Sequence, residues 1–114
     1  MSKLNIYCMS LYDSTYETIK NLGYIPVGLK NTNFSKNWLR DNTLENISKK
    51  NAYYGEYSFY YWYWKNVLRL KKDDEWIGFC SYREYWGNKN NNKSLNLKDL
   101  VLQEPHNEWK NYDT

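Results

Sequence analysis

The apolar positions switch between strand and helix spacing within the first thirty residues. Leu4-Asn5-Ile6-Tyr7-Cys8-Met9 is a short run of strand-forming residues, and Ser10 to Asp13 follows as a loop. Ser14-Thr15-Tyr16-Glu17 has the spacing of a capping box, in which Ser and Glu satisfy each other's orphan backbone donors at a helix start. Tyr16, Ile19 and Leu22 mark one helical face, and Gly23 is placed to stop it. Tyr24 to Gly28 reads as a second strand, short or at a sheet edge because Pro26 lacks an N–H. Strand, helix and strand in this order open a parallel α/β sheet. No Gly-x-Gly-x-x-Gly separates the first strand from the helix, so a dinucleotide fingerprint is absent.

Residues 29–50 are polar and irregular, with one helical turn expected around Phe34, Trp38 and Leu39. From Tyr53 to Trp64, nine of twelve residues are aromatic. Phe59, Tyr60, Tyr63, Val67 and Leu70 form one helical stripe, and Tyr57, Tyr61, Trp64 and Leu68 form the next. Apolar residues nearly all round predict one continuous, central and buried helix from about Ala52 to Leu70. Asp73-Asp74-Glu75 reads as a charged turn. Trp76-Ile77-Gly78-Phe79-Cys80 is a fully apolar strand of the kind expected at a sheet centre, with Ser81 to Trp86 leaving its carboxyl end. Asn88 to Lys93 is a loop, and Leu95 to Gln103 a weak helix or strand.

Composition decides whether such a chain folds. Its 114 residues suffice for one domain with a small core. The mean hydropathy of −0.97 would suit a disordered segment. The aromatic share of 19% opposes that, because disordered chains are poor in the residues that bury most area. A net charge of +3 without clustered Lys/Arg does not indicate a nucleic-acid coat. Met1 to Asn5 contains no apolar signal core, and no run is long enough for a membrane span, so a cytoplasmic protein is expected. Cys8 and Cys80 sit in apolar strand runs and are expected to be reduced, buried and on neighbouring strands.

Ligands of open α/β sheets bind outside the carboxyl ends of the strands. That points to Met9–Asp13 and, more informatively, to Ser81–Trp86. Arg83 offers a permanently charged fork suited to phosphate, and Tyr82, Tyr85 and Trp86 offer faces suited to bases or sugar rings. Ser81 and Glu84 would line the same pocket. The plainer alternative is that Arg83 and Glu84 point outward and pair with surface charges. Glu56 stands at the amino-terminal end of the aromatic helix, either as a favourable dipole partner or as a carboxylate for a sugar hydroxyl. His106, the sole His, lies in a Pro-flanked loop with little to favour it as a general base. No nucleophile elbow, P-loop or zinc-ligand cluster is present, and Asp73-Asp74 precedes a strand instead of following one.

Three segments carry a resemblance. They are Leu39-Arg40-Asp41-Asn42-Thr43 with Asn46-Ile47-Ser48-Lys49-Lys50-Asn51, then Glu56 with Tyr61-Trp62-Tyr63-Trp64-Lys65-Asn66, then Ile77-Gly78-Phe79-Cys80-Ser81-Tyr82-Arg83. In order and spacing over residues 39–86 they resemble the DUF4422 family. The resemblance implies a Rossmann-like, GT-A-like α/β fold with a mainly parallel sheet and flanking helices. It also implies a glycosyltransferase of bacterial surface-polysaccharide synthesis, whose partners are a nucleotide sugar and a glycan acceptor. Its motifs add Asp41, Asn46 and Asn51 to Glu56, Ser81, Tyr82, Arg83 and Glu84 as substrate-binding residues. Ser81 stands where the family pattern has His, Glu84 where it has a second Arg, Leu44 replaces a Gly, and Tyr57-Ser58 replaces Leu-Thr. GT-A-like domains are longer, so residues 1–114 are expected to be the amino-terminal, nucleotide-sugar side of an incomplete domain, with no second domain. The cofactor stays open: a divalent metal would suit the chemistry, but the chain has no Asp-x-Asp sequence. The rival reading is a non-catalytic carbohydrate- or nucleotide-binding module.

Overall fold

The computed structural model describes residues 3–30, 34–35, 37–70, 75–87, 100–105 and 107–111. Strands β1 (Lys3–Ser10), β2 (Ile25–Gly28), β3 (Leu39–Arg40) and β4 (Glu75–Ser81) form one sheet in the order β3-β2-β1-β4. All three pairings are parallel, as the strand–helix–strand opening implies. Helix α1 (Tyr16–Asn21) links β1 to β2. The short α2 (Asn51–Tyr54) and the longer α3 (Tyr57–Asn66) precede β4. No described helix is long and apolar enough to cross a membrane.

Alternation along β1 builds the two cores. Ile6 and Cys8 face α1, packing with Ile19, Leu22, Tyr24 and Trp38. Tyr7 and Met9 face the other way, against Phe59, Trp62 and Tyr63 of α3. The second core is largely aromatic: the Tyr7 ring lies 4.9 Å from Tyr63 and 5.7 Å from Phe59, centre to centre. Such edge and tilted pairs add to the area they bury.

Several local expectations are corrected. Ser14 and Glu17 do not form a capping box: Asp13–Thr15 is a 3-10 turn, and Thr15 donates its hydroxyl to the Tyr12 carbonyl at 2.7 Å. Ser10 Oγ sits 2.7 Å from Thr15 Oγ1, so this turn is tied to the end of β1. Gly23 does end α1, at φ 81°, with its N–H on the Lys20 carbonyl and that of Tyr24 on the Ile19 carbonyl. β2 is short as expected, yet it lies inside the sheet. Leu29 donates to the Ser10 carbonyl, so even-numbered residues of β2 turn their backbone towards β3. β3 pairs only with Val27 and Gly28, and the missing N–H of Pro26 therefore costs no ladder bond. Leu39 belongs to β3 and not to a helical turn.

The aromatic tract is also not one helix. Gly55, at φ 56° and ψ −130°, breaks it into α2 and α3, and Leu68–Leu70 continues as a 3-10 turn. Nor is it buried all round. Ser58, Phe59, Trp62 and Tyr63 are buried, whereas Tyr57 and Trp64 are 69% and 56% exposed. α3 covers one face of the sheet, so only its first stripe meets the core. β4 is the outermost of the described strands instead of the centre, with all seven residues half-buried. The Asp73-Asp74 part of the charged turn, the Asn88–Lys93 tract, residues 95–99 and His106 lie outside the described residues. Val101 and Leu102 are buried against the α1 side, and Val101 bridges to Gly87.

Candidate functional site

β1 and β4 run parallel and in register, so both chains leave the sheet at the same edge. Cys8 is opposite Cys80 and Met9 opposite Ser81. Beyond them a cleft of about 520 Å³ opens between Ser10–Leu11, the turn Ser81–Trp86, and the α2–α3 corner at Asn51, Gly55 and Glu56. This is the edge at which open α/β sheets take their ligands.

The turn after β4 is fixed by its backbone. Tyr82 N–H donates to the Met9 carbonyl at 2.9 Å, Glu84 N–H to the Ser81 carbonyl at 3.1 Å, and Arg83 N–H to Ser81 Oγ at 3.3 Å. The Trp86 indole N–H closes back on the Phe79 carbonyl at 3.0 Å. Tyr82 rests edge-on against Tyr12, and the Arg83 guanidinium lies 5.6 Å from the Tyr82 ring centre. Arg83 is exposed, and its guanidinium has no hydrogen-bond or ion-pair partner among the described residues. It is the one cation among the described residues lining the cleft, which also holds two carboxylates, Glu56 and Glu84.

The opposite wall is built on a buried carboxylate. Asp41, fully buried just after β3, accepts from Ser58 Oγ at 2.5 Å and from Ser48 Oγ at 3.2 Å. Asn51 donates one amide hydrogen to Ser58 Oγ (2.8 Å) and the other to the Gly55 carbonyl (2.7 Å). Burial raises the Asp41 carboxyl above the ordinary carboxylate range, with the two hydroxyls opposing the shift. Tyr60, one turn into α3, also lines the cleft; burial and then the Glu56 charge push its phenol upward.

Of the residues singled out in the sequence, Asn51, Glu56, Ser81, Tyr82, Arg83 and Glu84 meet in this cleft. Asp41 stands behind the wall, and Asn46 lies outside the cleft, folding its amide onto the Thr43 and Leu44 carbonyls. Sequence reasoning missed Tyr60 as a lining residue. Ser10 falls inside the expected Met9–Asp13 edge, whereas Tyr60 was hidden in an apolar stripe. Among the described residues no three His, Cys, Asp or Glu side chains gather where a metal ion could be held.

A family model described as a domain of unknown function, DUF4422, matches residues 5–113. The chain belongs to the DUF4422 family. The match spans both the sheet and the cleft, so the Arg83 turn and the Asp41–Asn51 wall are parts of one DUF4422 domain. No curated protein and no solved structure matches the chain.

Proposed function

We propose that this DUF4422 protein binds a nucleoside-diphosphate sugar in the cleft, as a glycosyltransferase-like protein of bacterial surface-glycan synthesis. The observation that carries the reading is Arg83: an exposed guanidinium without an acidic partner, at the shared carboxyl edge of β1 and β4. A diphosphate arriving there meets a planar fork able to bind two oxygens at once. The reaction would be attack of an acceptor hydroxyl on the anomeric carbon, with the nucleoside diphosphate leaving. Orienting the two partners and offsetting the charge on the departing diphosphate supply most of the help such a transfer needs. Arg83 is suited to the second task, and Ser81, Tyr82 and Glu84 to shaping the pocket around it.

The test is calorimetric titration with UDP, GDP, UDP-glucose, UDP-N-acetylglucosamine and GDP-mannose, on wild type and Arg83→Ala. Removing a charge-assisted hydrogen bond worth roughly 1.5–3 kcal/mol should weaken binding about tenfold to hundredfold. Equal binding by both proteins refutes the role of Arg83. A second reading, a carbohydrate-binding module without chemistry, is favoured by the two carboxylates that outnumber the one cation in the lining. It is distinguished by affinity for free sugars and no release of nucleoside diphosphate from any nucleotide sugar.

A further inference from the structure

Three residues that the sequence set apart, Asp41, Asn51 and Glu56, are joined through Ser58 and Gly55. Ser58 has a single hydroxyl hydrogen. It accepts from Asn51 and gives its hydrogen to Asp41, which is the shorter of its two contacts with acceptors (2.5 Å, against 3.1 Å to the Gly55 carbonyl). Asn51 grips Gly55 from both sides, accepting the Gly55 N–H on its carbonyl at 2.7 Å and donating its side-chain amide to the Gly55 carbonyl at 2.7 Å. Gly55 holds a backbone conformation other residues rarely adopt, and the next residue is Glu56. Glu56 is the N-cap of α3, yet its carboxylate makes no capping hydrogen bond; it is exposed and lines the cleft opposite the Arg83 turn.

We propose that the cleft is polarised, with the carbohydrate end of the ligand held by the Glu56 carboxylate and its phosphate end by Arg83. Asp41 is then a positioning residue that fixes Glu56 through Ser58, Asn51 and Gly55. This rests on the nucleotide-sugar reading and adds to it which wall takes the sugar. A carboxylate accepts from two neighbouring sugar hydroxyls well and would repel a phosphate, so it belongs at the uncharged end. A buried carboxylate is costly unless its oxygens are satisfied, and here both accept from Ser hydroxyls. A geometry that relieves that cost fixes the Ser58 rotamer, and with it the corner that carries Glu56.

The experiment compares the affinity of each nucleotide sugar with that of its bare nucleotide, UDP-glucose against UDP and GDP-mannose against GDP. The ratio isolates the sugar. Wild type is compared with Glu56→Gln, Asp41→Asn, Ser58→Ala and Arg83→Ala. Glu56→Gln should cut the ratio about tenfold, the loss of one charged hydrogen bond, and leave the bare nucleotide unchanged. Asp41→Asn and Ser58→Ala should do the same, while speeding amide exchange at Gly55 and Ser58 and not in β1. Arg83→Ala should weaken bare nucleotide and nucleotide sugar together. A ratio of one in wild type, or a ratio untouched by Glu56→Gln, overturns the inference while the Arg83 result stands. So does a fall in bare-nucleotide affinity and a general rise in β1 exchange in Asp41→Asn and Ser58→Ala alike, which marks a role in stability alone. No nucleotide binding by wild type overturns the nucleotide reading, and the inference with it.

Discussion

Cys8 and Cys80 are paired across β1 and β4, but only Cys80 reaches the cleft. Cys8 is fully buried, and Cys80 is half-buried. The expectation of two neighbouring thiols therefore holds, and that of two buried ones is corrected. Contact with Cys80, and then burial, pushes the Cys8 thiol far above its ordinary range, so its reactive thiolate is scarce. Native protein treated with a small thiol reagent should be labelled at Cys80 first. Cys8 should react only when β1 unfolds. Mass spectrometry of partly labelled protein checks this, and equal labelling at both sites contradicts the packing.

Two carboxylates set opposite pH dependences. Asp13 accepts from Ser35 N–H and Oγ and from the Trp38 indole, and the Ser35 bonds hold its carboxyl below the ordinary range. Its contribution is present above the unfolded value and fades as pH falls through the folded one. Asp41 is shifted upward, so the native state binds its proton more readily than the unfolded chain does. Its charged form weighs against folding above that window, and stability attributable to it falls as pH rises from the unfolded to the folded value. Urea unfolding between about pH 3 and 7 should show Asp13→Asn losing more stability, relative to wild type, at the upper end than at the lower. Asp41→Asn should remove the opposing slope. The same sign of change in both variants would contradict the assignment.

The two neighbouring tryptophans of α3 separate what the aromatic tract does from what its composition suggests. Trp62 is buried and donates its indole N–H to the Thr43 carbonyl at 2.9 Å, while Trp64 is more than half exposed, with Lys65 Nζ 4.1 Å from its ring. Trp62→Ala should cost about 3–5 kcal/mol. Trp64→Ala should cost under about 1 kcal/mol, the usual range for surface positions and exposed cation–π pairs. Thermal or urea unfolding of the two variants gives the difference directly, and equal losses would restore the expectation of a helix buried on every side.

The same tract shows where local pattern stops being informative. β1, β4 and the Gly23 stop could be read because each depends on its own few residues: strand formers in a run, or a glycine after the last apolar position. The Ser81–Trp86 edge followed from β4. The length of the aromatic helix could not be read that way. Apolar residues on two stripes say nothing of how much sheet there is to cover, and Phe59 and Trp62 consume what β1 and β2 offer. β3 escaped notice because two residues make no pattern. The Asp41–Ser58 bond, between residues 17 positions apart, needs the chain to double back before it has meaning.

Gly55 is the position where the wall of the cleft is most sensitive to a single methyl group. An added Cβ would meet no atom within 4 Å, so packing does not forbid Ala there. The backbone does, since φ 56° with ψ −130° is a conformation that L side chains rarely take. Gly55→Ala should therefore cost about 1–3 kcal/mol, the range for a residue held in a sparsely populated region. Gly23 makes the control: it too has open space around its Cβ position, but its φ of 81° follows an ordinary helix end far from the cleft. Gly23→Ala should lower stability without altering cleft ligands. Gly55→Ala should lower stability and also loosen Asn51 and Glu56, raising amide exchange at Ser58 beyond what the Gly23 variant shows at equal stability. If the two variants match in both measurements, the Gly55 corner is an ordinary turn and the cleft wall does not depend on it.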